Sequence, residues 1–330
     1  MGDWLKEWAD EKGYRAGWGD FALLDDARKT VDDLAESGLI DMELYEGFLK
    51  RGFTYRPKAG SEGLVNVIII SVPRSHNYVV FETADGPFRA IVPATYLGYG
   101  ETRDRVRREL ESYIASRFPK RQYRLENLSA PFKSVATRAG IVTYGRNNIT
   151  YAPGCGSSHQ LVGFFTDIGP EAPVEQVDPR ATYGTGDSGC SRCEACVRAC
   201  PTAALSPDRF TVRASRCVTH LNESRGPWPG WLAPSAHTCL VGCLRCQEIC
   251  PRNRGHLEFE RANEAFTQEE TEAILDTADA GEKASGDWTP PPGPVWESVH
   301  RKVVSLGLEF YESVLGRNLR ALMKSATAPR

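Results

Sequence analysis

Cys190-Ser191-Arg192-Cys193-Glu194-Ala195-Cys196-Val197-Arg198-Ala199-Cys200-Pro201 and Gly242-Cys243-Leu244-Arg245-Cys246-Gln247-Glu248-Ile249-Cys250-Pro251 are two versions of one pattern. The first places cysteines at x2, x2 and x3 spacing before a proline. The second repeats the x2 and x3 steps, with Cys217 and Cys239 upstream. A cubane iron–sulfur cluster needs four thiolates around a compact core. Three cysteines at x2 spacing can wrap one cluster, while the cysteine before the proline is directed at the other. Zinc commonly takes two separated Cys-x2-Cys pairs and is the competing reading. A continuous run of this kind, occurring twice, points to two [4Fe–4S] clusters.

The crossing of the two runs assigns ligands. Cluster one takes Cys190, Cys193, Cys196 and, from the second run, Cys250. Cluster two takes Cys243, Cys246 and, from the first run, Cys200; its fourth ligand is Cys217 or Cys239. A regular second run would want a cysteine at position 240, where Leu240 stands. That argues for Cys217, with Cys239 as the alternative. Clusters that share crossed ligands lie close together and suit the passage of single electrons at low potential, around −400 mV for plant-type ferredoxins.

Outside these runs the chain has an ordinary globular composition. Nine of the 10 cysteines lie between Cys190 and Cys250, and only Cys155 stands apart. Forty basic against 43 acidic side chains leave a net charge of −3, which gives no global pull toward nucleic acid or anionic lipid. The longest apolar run, Val67-Ile68-Ile69-Ile70, is far short of the ~20 residues of a membrane helix. The start, Met1-Gly2-Asp3-Trp4-Leu5-Lys6-Glu7, has neither a basic nor an apolar leader segment, so a cytoplasmic protein with reduced thiols is expected.

Three parts follow along the chain: 1–180 as an α+β domain for cofactor and substrate, 181–262 as a double-cluster ferredoxin-like domain, and 263–330 as a C-terminal helical segment. Leu5 and Trp8 start one amphipathic helix and Phe21 to Leu34 form another. Leu64 to Val72 reads as a buried strand, with further strands at Tyr78 to Phe81 and Phe88 to Pro93 around the turn Asp85-Gly86-Pro87. Val106, Leu110, Tyr113, Ile114 and Phe118 recur at helical spacing. The window 101–150 carries 11 Lys/Arg against 5 Asp/Glu, read as a solvated helix face, with a phosphate-binding groove as the minority reading. Residues 140–168 read as loop–strand–turn, and a Pro/Gly-rich linker follows from Gly169 to Gly189. Thr267 and Glu270 form a capping box opening a helix to about Ala278. After a linker at Gly281 to Pro294, two closing helices break near Gly307. The Gly-x-Gly-x-x-Gly match at Gly184–Gly189 lacks the strand-to-helix context of a dinucleotide site. No Asp-x-His-x-x-Gly cobalamin pattern is present, and the six histidines show no metal-ligand pair.

The chain resembles the epoxyqueuosine reductase family, itself related to the corrinoid reductive dehalogenases. The residues that carry the likeness are the two cysteine runs through Thr202-Ala203-Ala204 and Pro251-Arg252-Asn253, together with Arg216-Cys217-Val218-Thr219-His220-Leu221-Asn222-Glu223. Upstream, Arg138-Ala139-Gly140, Gly145-Arg146-Asn147-Asn148 and Gly156-Ser157 look like the family's cofactor-domain loops, and Arg317-Asn318-Leu319-Arg320-Ala321-Leu322 like its terminal helix. The resemblance implies a nitroreductase-like α+β domain holding a base-off cobalamin beside a double-cluster domain, with electrons passing through the clusters to cobalt, which reduces the substrate. It also implies Cys217 over Cys239 as a ligand. Cobalamin-facing positions carried over are Asn147, Thr150, Ser157 and Leu161, with Thr219 and Leu244 on the cluster side; ordinary loop packing is the competing reading for each.

The departures bear on the substrate. Where the family has an aspartate general acid, an ungapped count from Gly140 places Glu126. A carboxylic acid against an apolar corrin face would have its pKa raised, as a proton donor requires; a solvated carboxylate after Arg124 is the competing reading. Tyr144 and Arg146 stand where the tRNA enzyme usually has Trp and Lys, and Ser158-His159-Gln160 replaces an aromatic run. The leading expectation is a cobalamin-dependent iron–sulfur reductase of an epoxide or halide electrophile, fed by a low-potential donor of ferredoxin or flavodoxin type. A tRNA epoxyqueuosine reductase, acting on a modified nucleoside in tRNA, is the second expectation; tRNA as partner is not favoured by the charge. An electron-transfer protein without corrinoid is the third.

Overall fold

The computed structural model describes residues 3–61, 63–170, 177, 190, 192–209, 211–283 and 288–327. The glycine match at 184–189 and most of the linker expected from 169 to 189 lie outside the described residues. Helix α1 (Trp4–Glu11) opens where the Asp3 carboxylate accepts from the Leu5 N–H at 3.1 Å. After β1 (Arg15–Asp20), Asp20 caps α2 (Phe21–Glu36) by accepting from the Leu23 N–H at 2.9 Å. Strands β2 (Asn66–Pro73), β3 (His76–Phe81) and β4 (Phe88–Val92) come next, then α3 (Tyr99–Arg117), β5 (Leu125–Asn127) and α4 (Phe132–Arg138). Strands β6 (Thr143–Tyr144), β7 (Thr150–Tyr151) and β8 (His159–Thr166) precede the cysteines. The cysteine segment carries three short helices, α5 (Ala195–Ala199), α6 (Val218–Glu223) and α7 (Arg245–Glu248). The chain closes with β9 (Phe259–Phe266), α8 (Gln268–Asp276), α9 (Ala278–Gly281), α10 (Pro294–Leu306) and α11 (Glu312–Thr327). It is an α+β chain, as the sequence led one to expect.

Two compact units interleave along the sequence. The first is Met1–Arg74, Gly100–Glu194 and Leu205–Arg213; the second is Ser75–Tyr99, Ala195–Ala204 and Ala214–Arg330. The first unit is built on a four-stranded antiparallel sheet in the order β1-β2-β8-β5. The apolar run at Val67–Ile70 lies in β2, and both faces of that strand are buried. On one face Val67, Ile69 and Phe165 pack with Leu23 and Leu24 of α2 and Val135 of α4. On the other, Ile68 pairs with Trp18, and Trp4 meets Trp18 edge-on at 5.3 Å and stacks on Tyr113 at 6.2 Å.

The second unit holds a three-stranded sheet, β4-β3-β9, in which β3 runs parallel to β9. Phe81 stacks on Phe266 at 4.9 Å across that parallel pair. The core continues through Val79 and Ala90 to Val299 and Val303 of α10 and Leu319 of α11. The capping box is present: the Glu270 N–H donates to the Thr267 hydroxyl at 3.3 Å, and the Thr267 N–H to the Glu270 carboxylate at 2.8 Å. The break between α10 and α11 is made by Gly307, which adopts φ +74°.

Strands β1, β5 and β9 were not anticipated. β1 reads Arg-Ala-Gly-Trp-Gly-Asp, with no alternation to announce it, and is held extended by its ladder to β2 from Arg15↔Ser71 to Asp20↔Asn66. β9 is polar, and becomes a strand because β3 offers it a parallel edge.

Gly163 of β8 lets α4 approach the sheet. A Cβ there would stand 2.9 Å from Phe132 Cε1 and 3.0 Å from Leu128 Cδ2. Gly163→Ala is therefore expected to lower stability by about 1–3 kcal/mol, read as a shift in the urea midpoint with an unchanged slope.

Candidate iron–sulfur and cofactor site

Cys239 is fully buried and the other nine cysteines are half-buried. Cys190 and Cys193 belong to the first unit, where the Cys193 N–H donates to the Cys190 carbonyl at 3.4 Å. Arg146 clamps this start of the run. It donates to the Cys190 carbonyl through Nε at 3.3 Å and Nη2 at 3.1 Å, and to the Pro207 carbonyl through Nη1 at 2.6 Å. The turn that carries Arg146 therefore fixes the backbone of the first cysteine.

The other cysteines between Cys196 and Cys250 belong to the second unit. Cys196 lies within α5 and Cys246 within α7, and these two helices pack together. Cys200 follows α5 directly. Ala203, at φ +51°, turns the chain back so that the Ala204 N–H donates to Cys200 Sγ at 3.3 Å. Cys217 is the N-cap residue of α6. Burial raises its thiol; the backbone N–H groups of Thr219 and His220 and the Thr219 hydroxyl pull it down, and the charge of Cys200 raises it again. Burial pushes the Cys243 thiol up to about 11, opposed by the Arg245 N–H and reinforced by the charges of Cys217 and Cys200. Cys200, Cys217 and Cys243 thus lie within electrostatic reach of one another. Burial also raises Cys239, whose one charged sulfur neighbour is Cys243 and whose Sγ lies 3.8 Å from the Thr238 hydroxyl. Among the described residues no three His, Cys, Asp or Glu side chains converge on a single-ion site; a cubane instead spreads its thiolates over the corners of a cluster.

Helix α11 ties the loops of this segment together. Arg317, only 2% exposed, donates to the carbonyls of Gly226 at 2.6 Å and Leu221 at 2.9 Å, with its guanidinium 3.9 Å from the Trp228 ring centroid. Asn318 donates to the carbonyls of Asn222 and Leu240, both at 2.9 Å. The Asn222 amide then donates to the Gly242 carbonyl at 2.8 Å. One buried Arg–Asn pair thereby joins the helix after Cys217 to the loop before Cys243. Gly242, at φ +74°, completes the approach: a Cβ there would stand 2.8 Å from the Tyr96 ring. The Tyr96 hydroxyl donates to Glu223 at the end of α6. The sequence offered Arg317 and Asn318 only as part of a resemblance, because their partners lie far away along the chain.

The expected cofactor residues of the first unit collect around β6, β7 and β8. Asn147 is buried at the tip of the β6–β7 hairpin; its amide donates to the Tyr151 hydroxyl at 2.9 Å and accepts from the Ile149 N–H at 3.3 Å. The Thr150 hydroxyl meets His159 Nε2 at 3.1 Å, while the Ser71 hydroxyl meets Nδ1 at 2.9 Å. Ser157 is buried just before β8, and Leu161 is half-buried on it. Glu126 sits half-buried on β5 opposite Phe165, accepting a hydrogen bond from the Ser61 hydroxyl. By strand alternation it shares a sheet face with Leu161. In the second unit, Thr219 is in the first turn of α6, and Leu244, fully buried, accepts from the Gln247 and Glu248 N–H groups as the N-cap of α7.

Residues 189–253 match the family described as a 4Fe-4S double cluster binding domain. The chain therefore carries a site for two [4Fe–4S] clusters. It is 32% identical over 126 residues to the epoxyqueuosine reductase of Bacillus subtilis (strain 168), covering 37% of this chain and 29% of that protein. To that of Pseudomonas aeruginosa it is 36% identical over 130 residues, covering 38% and 33%. The chain is similar to the epoxyqueuosine reductases. The alignments span only about a third of the length of these curated relatives. The solved epoxyqueuosine reductase of Streptococcus thermophilus superposes with a TM-score of 0.65 at 20% identity, over 98% of this chain and 80% of that one, so the likeness of fold extends well past the cysteine segment. Among the described residues no helix is long and apolar enough to cross a membrane.

Two outcomes follow from this geometry. Arg317→Leu leaves several buried carbonyls without a donor and is expected to cost about 2–4 kcal/mol, seen as a lower melting temperature together with loss of iron from the reconstituted protein. Burial pushes the His159 imidazole down to about 4. The unfolded chain takes up a proton there before the folded chain does, so the stability tied to a neutral His159 is complete above about pH 6.5 and is lost as pH falls toward 4. Roughly 3 kcal/mol is at stake. His159→Gln should flatten the fall of the urea midpoint over that pH range relative to the parent protein.

Proposed function

We propose that this protein is an iron–sulfur oxidoreductase that delivers single electrons to a bound cobalamin for the reduction of an electrophilic substrate of epoxide or halide type. The observation that carries the reading is the doubled cysteine run on packed helices α5 and α7, joined in one chain to a sheet domain whose fold is that of the epoxyqueuosine reductases. Cluster one takes the thiolates of Cys190, Cys193, Cys196 and Cys250; cluster two takes those of Cys200, Cys217, Cys243 and Cys246. Cys217, half-buried at the N-cap of α6, is taken as the fourth ligand over the fully buried Cys239.

A base-off cobalamin, when bound, supplies a strongly reducing cobalt. The residues offered to it by the resemblance are Ser157, Leu161 and the β6–β7 hairpin, together with Thr219 and Leu244. Asn147 and Thr150 serve that hairpin by holding its shape, through Tyr151 and His159. Glu126 is the proton donor of the reading, with Ser61 orienting its carboxyl. Thiols kept reduced for metal assembly suit a cytoplasmic location.

A second reading, tRNA epoxyqueuosine reductase, is favoured by the names of the curated relatives and by a solved relative holding an epoxyqueuosine-modified tRNA-Tyr stem loop, similar to this chain with a TM-score of 0.63 at 18% identity. Rescue of queuosine in a strain lacking its own enzyme supports it, and absence of rescue removes it.

Anaerobic reconstitution with iron, sulfide and cobalamin is expected to give about eight irons and one cobalt per chain by metal analysis and EPR. Cys217→Ser should lose about half of that iron and Cys239→Ser almost none. Eight irons with no cobalt would reduce the reading to an electron carrier, and equal loss in the two variants would withdraw the ligand assignment.

A further inference from the structure

The two cysteine runs meet where their short helices pack. Helices α5 and α7 pack together, and a groove of about 380 Å³ lies over their ends, lined by Ala199, Pro201, Ser235, Arg245, Glu248 and Ile249. Pro201 directly follows Cys200 and Ile249 directly precedes Cys250, so the groove lies one residue from a ligand of each cluster. Ile249 is 50% exposed and lines this groove together with Pro201. Trp231, 47% exposed, adds a second apolar surface nearby. The Arg216 guanidinium lies 4.7 Å over its ring and donates to the Thr202 carbonyl at 2.7 Å, next to Pro201.

The groove itself carries Arg245 and Glu248, and the adjoining segments lean basic, with Arg198, Arg216 and Arg254 against Glu194. Exposed aromatic and aliphatic contacts ringed by arginine are the composition of a protein interface. Transient redox complexes are small, and steering by opposite charge sets their rate of association. Electron tunnelling also demands that a donor come close to the cluster, and the groove offers approach to both.

We propose that this groove is the docking site of an acidic ferredoxin-type electron donor. The inference rests on the iron–sulfur reading above and adds to it where the electrons come in. Ile249 and Trp231 make the apolar contact, and the arginines orient the acidic face of the donor.

The test uses the full chain with its clusters reconstituted. Cluster bleaching is followed by stopped flow with reduced acidic ferredoxin, and separately with dithionite. The ferredoxin rate is expected to fall steeply between roughly 0.05 and 0.3 M salt. Ile249→Asp and Arg245→Glu should slow ferredoxin by about tenfold or more while dithionite reduces them as it does the parent. Trp231→Glu, distant in sequence from every ligand cysteine, should behave alike, which separates docking from damage to a cluster. Unchanged ferredoxin rates in all three variants, or equal slowing with dithionite, would overturn the assignment. So would groove variants that lose affinity for tRNA while keeping the ferredoxin rate, since the surface would then be an RNA contact. A chain that assembled no iron would instead fail the underlying reading, and the groove with it, through iron analysis alone.

Discussion

Arg317 and Asn318 hold together what the cysteines need held. Cysteines drawn from loops and short helices cannot position themselves, because α5, α6 and α7 are each at most six residues long and make few internal hydrogen bonds. A guanidinium presents several donors in a fixed fork. Buried beneath Trp228, it takes up the carbonyls at the end of α6 and of the following turn. Asn318 extends the network to Leu240, and Asn222 to Gly242. The loops around Cys217 and Cys243 thereby become parts of one rigid body with the final helix, whose opposite face is anchored in the core with Val299 and Val303.

The first unit solves a related problem with different chemistry. Its sheet is packed on both faces, so any polar group within it must find a partner. His159 meets this by remaining neutral between two hydroxyls, and in doing so engages Thr150 and stiffens the stretch that carries Asn147 and Tyr151. Arg146, on the same hairpin, grips the Cys190 carbonyl. The hairpin expected to face a cofactor is thus also the piece that sets the start of the cysteine run. Arg146 suits this, since one planar fork reaches two carbonyls at once.

Much of this was legible in the residues. Regular spacing announces ligation, β-branched runs announce buried strands, and the capping box and Gly307 mark helix ends by local chemistry alone. β2, α2, α3, α8 and α10 lie close to where their patterns put them. β1 and β9 were illegible for a physical reason. Neither has an apolar period of its own, and each is a strand because a partner strand supplies its hydrogen bonds. The uses of Asn147 and Thr150 were equally hidden. A position carried over from a resemblance says that a residue stands near a site, while its hydrogen-bond partner decides whether the side chain reaches outward or holds the fold.

By itself the sequence determined the α+β character of the chain, the two-cluster chemistry and the ligand-bearing runs, since these depend on residue type and spacing over short distances. Only the tertiary structure decided that a strand before the cysteine segment pairs with one after it, that a buried Arg–Asn pair from the last helix locks the cysteine loops, and that an exposed Ile lines a groove where the helices of both runs pack. Those depend on which distant segments meet, and the free energy of burying and pairing their polar groups is settled only once they do.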